Sequence, residues 1–171
     1  MMKHNSRYIT TAAMIAALYV VLTMIANALG LASQAIQLRF SEALTVLPYF
    51  TAAAVPGLAV GCLLSNVLAG GVIIDVIFGT IATLLGAFGT YALRKYKYAA
   101  PLPPIIANTL IIPFVLKYGY HIDELWYSFL TVGAGELLSC GVLGLLLLTI
   151  LQKYKKFLFC PKLRMLFSIK E

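Results

Sequence analysis

The 171-residue chain is 61% hydrophobic and 11% charged, with a mean hydropathy of +0.93, against about 45–50% and about 25% in ordinary soluble domains. That excludes a soluble globular domain and describes an integral membrane protein. Its formal charge of +7 does not point to nucleic acid, because eleven of thirteen Lys and Arg fall in three clusters beside apolar runs: Lys3 and Arg7; Arg94, Lys95 and Lys97; and six from Lys153 to Lys170. This is the pattern of cytoplasmic membrane flanks.

The apolar runs are continuous rather than alternating, which selects helices over a barrel. The first, about 10–29, follows Lys3 and Arg7 but is too long for a cleavable signal core, so it reads as a retained helix. Its alanines Ala12, Ala13, Ala16 and Ala17 form two small-xxx-small pairs. Such a stripe admits another backbone closely, either within this chain or on a partner. Ser33, Gln34 and Gln37 then mark an outer loop.

From Phe40 to Gly70 the chain is almost wholly apolar. As a single helix it would exceed about 45 Å, too long for a hydrocarbon core of about 30 Å. Pro48 and Pro56-Gly57 argue for a split at 54–57, into helices over about 39–54 and 57–70. The split also places Arg94–Lys97 on the same side as both termini, as the positive-inside pattern requires. After Gly70-Gly71 come helices over about 73–92, about 102–118 behind the Pro-Leu-Pro-Pro start, and about 124–152. The expected architecture is an all-α bundle of six transmembrane helices over residues 1–155, with both termini cytoplasmic. A basic amphipathic tail, 156–171, would lie on the inner membrane surface.

Five of the six acids, Glu42, Asp75, Asp123, Glu124 and Glu136, fall in the outer half or outer loops of this topology. Asp123 and Glu124 read as solvated loop charges. Glu42 and Asp75 either pair with Arg39 or Lys117 or hold a ligand. Glu136 lies about 18 Å along the last helix, where a charge costs about 2.5–3.5 kcal/mol on insertion scales and marks a functional position. With Arg39, Asn66 and Asn108, these residues describe a pocket for a small polar molecule. Phe40, Tyr49, Phe78 and Trp126 are available for stacking on it. Cys62, Cys140 and Cys160 stand apart in sequence and read as small buried hydrophobes, not metal ligands. No HExxH, phosphate loop or Ser/His or Cys/His nucleophile pair is present.

Several segments resemble the QueT family, the queuosine-precursor-specific S components of energy-coupling factor (ECF) transporters. They are Arg39-Phe40-Ser41-Glu42-Ala43-Leu44-Thr45-Val46-Leu47-Pro48, Asp75-x-x-Phe78-Gly79-x-x-Ala82-Thr83, Ala100-Pro101-Leu102-Pro103-Pro104 with Asn108, and Gly135-Glu136. The resemblance covers roughly residues 7–155. It implies the six-helix S-component bundle in a bacterial cell membrane and no enzymatic activity or cofactor in this chain. It also implies a membrane coupling protein (EcfT-type) and two cytoplasmic ECF ATPases as partners, with Ala12 and Ala16 matching the coupling protein's docking surface. Import would proceed by toppling of the loaded bundle. The substrate would be a 7-deazaguanine: queuine or its cyano- or aminomethyl precursor. An S component for another vitamin-type substrate and a small intramembrane enzyme are the alternatives.

Overall fold

The computed structural model describes residues 2–30 and 39–159, with side chains at 6–30 and 39–154, so the expected outer loop at Ser33–Gln37 and most of the basic tail lie outside the described residues. Every regular element described is helical. Helix α1 is Met2–Ala28, and a 3-10 segment follows at Phe40–Tyr49. Then come α2, Ala54–Leu68; α3, Ile73–Ala92; and α4, Leu102–Tyr120. The last rod is α5, Leu125–Glu136, running through a π segment, Leu137–Leu143, into α6, Gly144–Phe159.

Among the described residues four stretches are long and apolar enough to cross a membrane: Ser6–Ala28, Ile73–Ala92, Lys97–Tyr120 and Leu125–Tyr154. Between the first two lie two shorter helices, the 3-10 segment and α2. The expected α-helix over 39–54 is instead a ten-residue 3-10 helix, Phe40–Tyr49. At about 2.0 Å per residue it still reaches about 20 Å, so fewer residues do the work of a longer α-helix. Thr45 Oγ1 donates to the Glu42 carbonyl at 2.6 Å, which favours the tighter winding locally, and Cys140 Sγ stands 3.4 Å from the same carbonyl. Pro48 lies inside this segment. The chain breaks at Phe50–Ala53, a few residues earlier than expected, and Pro56 sits in the first turn of α2, where a missing N–H costs nothing.

The 3-10 segment is the axis of the molecule. It touches α1, α2, α3, α6 and the π segment, and Ser41, Glu42, Leu44, Thr45, Val46, Leu47 and Pro48 are all buried. The main apolar core joins Leu44 and Leu47 to Ile15, Tyr19, Leu58, Cys62 and Ala87. Helix α2 lies so close to α1 that glycine is required at the contact. A Cβ on Gly57 would stand 2.7 Å from the Ala12 carbonyl, and one on Gly61 2.7 Å from the Tyr19 Cβ. The Ala12–Ala16 stripe is therefore occupied within the chain, whereas Ala13 and Ala17 face outward.

Two sets of contacts define the ends of the bundle. At one end Tyr8 Oη reaches the Ala52 carbonyl at 3.4 Å, Gln152 Nε2 donates to Tyr49 Oη at 3.0 Å, and Ala100 packs with Val46 and Leu148. Arg7, Arg94–Lys97 and Lys153 all belong to this end, the one the charge pattern assigns to the cytoplasm. At the other end Gly70, at φ +74°, turns α2 into α3, and Tyr120 closes α4 beside the start of α3.

Candidate functional site: a deep carboxylate pair beneath a polar cavity

Three elements bring the deep group together. The 3-10 segment carries Glu42, α4 carries Asn108, and α5 ends on Glu136 where the π segment begins. All three are buried, at 1%, 3% and 7% exposure. The single amide nitrogen of Asn108 donates to Glu136 Oε1 at 2.9 Å and to Glu42 Oε2 at 3.4 Å. Tyr19 of α1 donates its hydroxyl to Glu42 Oε1, and Cys140 donates its thiol to Glu136 Oε2 at 3.1 Å. Thr45 Oγ1 stands 3.4 Å from the same sulfur. Among the described residues no cation is hydrogen-bonded to either carboxyl group; Arg39 acts on both from farther off. Each acid is thus held by neutral donors, in a setting where water and salt screen little.

Potential ligand atoms of Glu42, Glu136 and Cys140 lie within 4.8 Å of one another, so among the described residues these three are the group that could hold a metal ion. The sequence spacing did not suggest it, because the three residues come from separate segments or a single helical turn. Glu136 and Cys140 are four apart, which was the one legible signal.

One turn toward the other end lies an open cavity of about 570 Å³. Arg39, Asp75, Asn66, Asn27, Thr23 and Tyr120 supply its polar lining, and Ile112, Leu116 and Ile122 an aliphatic wall. Asp75 Oδ2 accepts the Tyr120 hydroxyl at 3.0 Å, and Asn66 Nδ2 donates to the Asp75 carbonyl at 3.3 Å. Asp75 is the strongest electrostatic partner of Arg39, ahead of Tyr19 and Glu42. A Cβ on Gly79 would crowd Asn66 Nδ2 at 3.0 Å and Asp75 Oδ1 at 3.3 Å, so glycine there makes room for the carboxylate and amide.

Three elements step from the deep group to this cavity in one turn each: Asn108 to Ile112 on α4, Tyr19 to Thr23 on α1, and Glu42 back to Arg39. The single pocket expected from the sequence is therefore two layers, with Glu42, Asn108 and Glu136 below and Arg39, Asn66 and Asp75 above. Of the aromatics expected to stack on a ligand, Trp126, Phe78 and Tyr49 lie away from both layers. Trp126 is 84% exposed and contacts Phe129, and Phe78 lies on an apolar surface groove between α3 and α4. Tyr49 is at the opposite end. Phe40 is half-buried beside Arg39. Of the residues that sequence reasoning passed over, Tyr19 and Tyr120 gave no signal: their role depends on acids in other elements. Cys62 and Cys140, expected as small buried hydrophobes, are buried and also make hydrogen bonds, Cys62 with Thr83 at 3.2 Å.

Among the described residues, helices throughout, four of the stretches long and apolar enough to cross a membrane, and buried acids beside a polar cavity are the build of a polytopic membrane protein. Residues 9–153 match the model of the QueT transporter family, and the chain belongs to that family. It is also 38% identical over 85 residues to the queuosine precursor transporter QueT of Lactococcus lactis subsp. cremoris (strain MG1363). That alignment covers 49% of this chain and 50% of the relative's length, so the chain matches about half of the relative. No solved structure matches.

Proposed function

We propose that this chain is the substrate-binding S component of an ECF-type importer and captures a queuosine precursor, a 7-deazaguanine, at the layered site. The observation that carries this is the pair of buried carboxyl groups, Glu42 and Glu136, sharing the one amide of Asn108 beneath a polar cavity. A guanine edge offers N–H and NH₂ donors side by side, which a carboxylate accepts in a bidentate manner. Glu136 takes that edge, with Asn108 presenting its amide to the ring's acceptors. Asn108, Cys140 and Tyr19 donate to these acids within the chain, and binding exchanges those donors for the ligand's. Glu42 gives an aminomethyl ammonium a negative neighbour, and Arg39 steadies the acids of both layers.

The chain itself carries no cofactor and no enzymatic activity in this reading. It works in a bacterial cell membrane, spanning it six times with both termini inside. A membrane coupling protein (EcfT-type) and two ATPases use the ATP and topple the loaded bundle. With Ala12 and Ala16 occupied by α2, the outward pair Ala13 and Ala17 is the part of the stripe left for the coupling protein. Replacing both by Leu should abolish co-purification with the ATPases while leaving ligand affinity intact; retained co-purification would remove that surface from the proposal.

The decisive experiment is mass spectrometry of the small molecule retained through purification, followed by titration of 7-deazaguanine bases into ligand-free protein. An intact 7-deazaguanine, bound reversibly, supports the reading. A different vitamin-type molecule, or a chemically altered product, overturns the substrate or the transporter assignment respectively.

A further inference from the structure

The two layers differ in charge. The deep one holds two acids and no hydrogen-bonded cation among the described residues, whereas the cavity above it holds one Arg and one Asp that offset each other. Around this pair stand neutral hydroxyls and amides, with the aliphatic side chains of Ile112 and Leu116 opposite. A free ammonium group gains little there, since Arg39 opposes it as Asp75 attracts it. A neutral ring with hydroxyl groups on one edge fits both sides. Its hydroxyls donate to Asp75 and accept from Asn66 or Arg39, while its carbons pack on the aliphatic wall. At about 570 Å³ the cavity has the size of a small-ligand pocket and would hold roughly twenty waters at about 30 Å³ each. A cyano or aminomethyl group reaching up from below would leave most of it to solvent.

The separation fits as well. One turn divides the layers on each of three elements, which is about 5–6 Å, the reach of a short methylene–amine link between two rings.

We propose that the outer cavity recognises a hydroxylated ring carried on the 7-substituent of the base, so that the preferred ligand is queuine, with its cyclopentenediol, rather than either smaller precursor. This rests on the reading of the deep layer as the guanine-binding layer. Asp75 is the residue that selects, accepting from the diol as it now accepts from Tyr120.

The test is calorimetric titration of ligand-free protein in nanodiscs with queuine, the aminomethyl base and the cyano base. The expected result is queuine binding about tenfold or more tightly than the aminomethyl base, the effect of one added charge-assisted hydrogen bond. Asp75→Asn should cut that ratio to about threefold or less. Tyr120→Phe keeps the ring and removes only its hydroxyl; by leaving Asp75 freer it should hold or raise the ratio, and it carries the test if Asp75→Asn fails to fold. Equal affinity for queuine and the aminomethyl base in the parent protein overturns the inference while leaving the proposed function standing. Loss of all three bases in Asp75→Asn also overturns it, because the base itself would then occupy the cavity. Binding of none of the three by the parent protein overturns the proposed function and the inference with it.

Discussion

The deep and outer layers of the site use the same residue types to different ends. Below, Glu42 and Glu136 are almost sealed, and every hydrogen bond they accept comes from a neutral donor. Above, Asp75 is also buried, at 6% exposure, but it faces an open cavity and has Arg39 within electrostatic reach. Burial alone therefore does not say what an acid does. A sealed acid without a cation is poised for a donor-rich or positive ligand; one matched by an arginine holds a neutral group and keeps its neighbours in place.

The largest effect should follow from the sealed layer. Glu136→Gln puts an NH₂ where an acceptor is needed, and affinity for any 7-deazaguanine base should fall about 10- to 100-fold by calorimetry. Affinity within about threefold of the parent would mean that the deep layer does not read the base.

Gly61→Val probes the wall behind that layer. Its added Cβ would enter the Tyr19 Cβ at 2.7 Å and drive α2 from α1. A loss of about 1–3 kcal/mol is expected from such overpacking, read as a lower unfolding temperature in detergent. Base affinity should fall with it, because Tyr19 holds Glu42.

Tyr19→Phe sharpens this by removing only the hydroxyl. Glu42 then keeps the Asn108 contact alone, and stability should drop by about 1–2 kcal/mol, the cost of an unmatched buried acceptor. Asn108→Asp, which sets a third acid against two, should be worse than Tyr19→Phe by the same thermal assay; the reverse order would deny that the amide is what joins the pair.

Least of all should come from the outer layer. Tyr120 is 42% exposed, so losing its bond to Asp75 in Tyr120→Phe should cost about 0.5–1 kcal/mol of stability. An effect as large as that of Tyr19→Phe would erase the distinction between the layers.

Much of the scaffold was readable before any coordinate. Continuous apolar runs, three basic clusters and prolines at 48 and 56 imposed helices, a broken second passage and a common end for the charged flanks. These depend on the bilayer's demand for paired backbone groups and on proline's missing donor, which act locally along the chain. Acids and amides set in apolar helices likewise announced themselves by their insertion cost, so Glu42, Asp75, Asn108 and Glu136 were candidates from the outset.

What the chain order could not convey was which of them meet. The 3-10 winding of Phe40–Tyr49 turns Glu42 toward Asn108 and Glu136 and leaves Arg39 one turn away with Asp75, so one expected pocket became two layers. The glycines at 57 and 61 decided that Ala12 and Ala16 face inward, and the apolar surround placed Trp126 and Phe78 outside the site. Local energetics determine where a helix or a buried charge can exist; the partner of each polar group is settled only by close packing between segments remote in sequence, where a single turn separates a shared hydrogen bond from none.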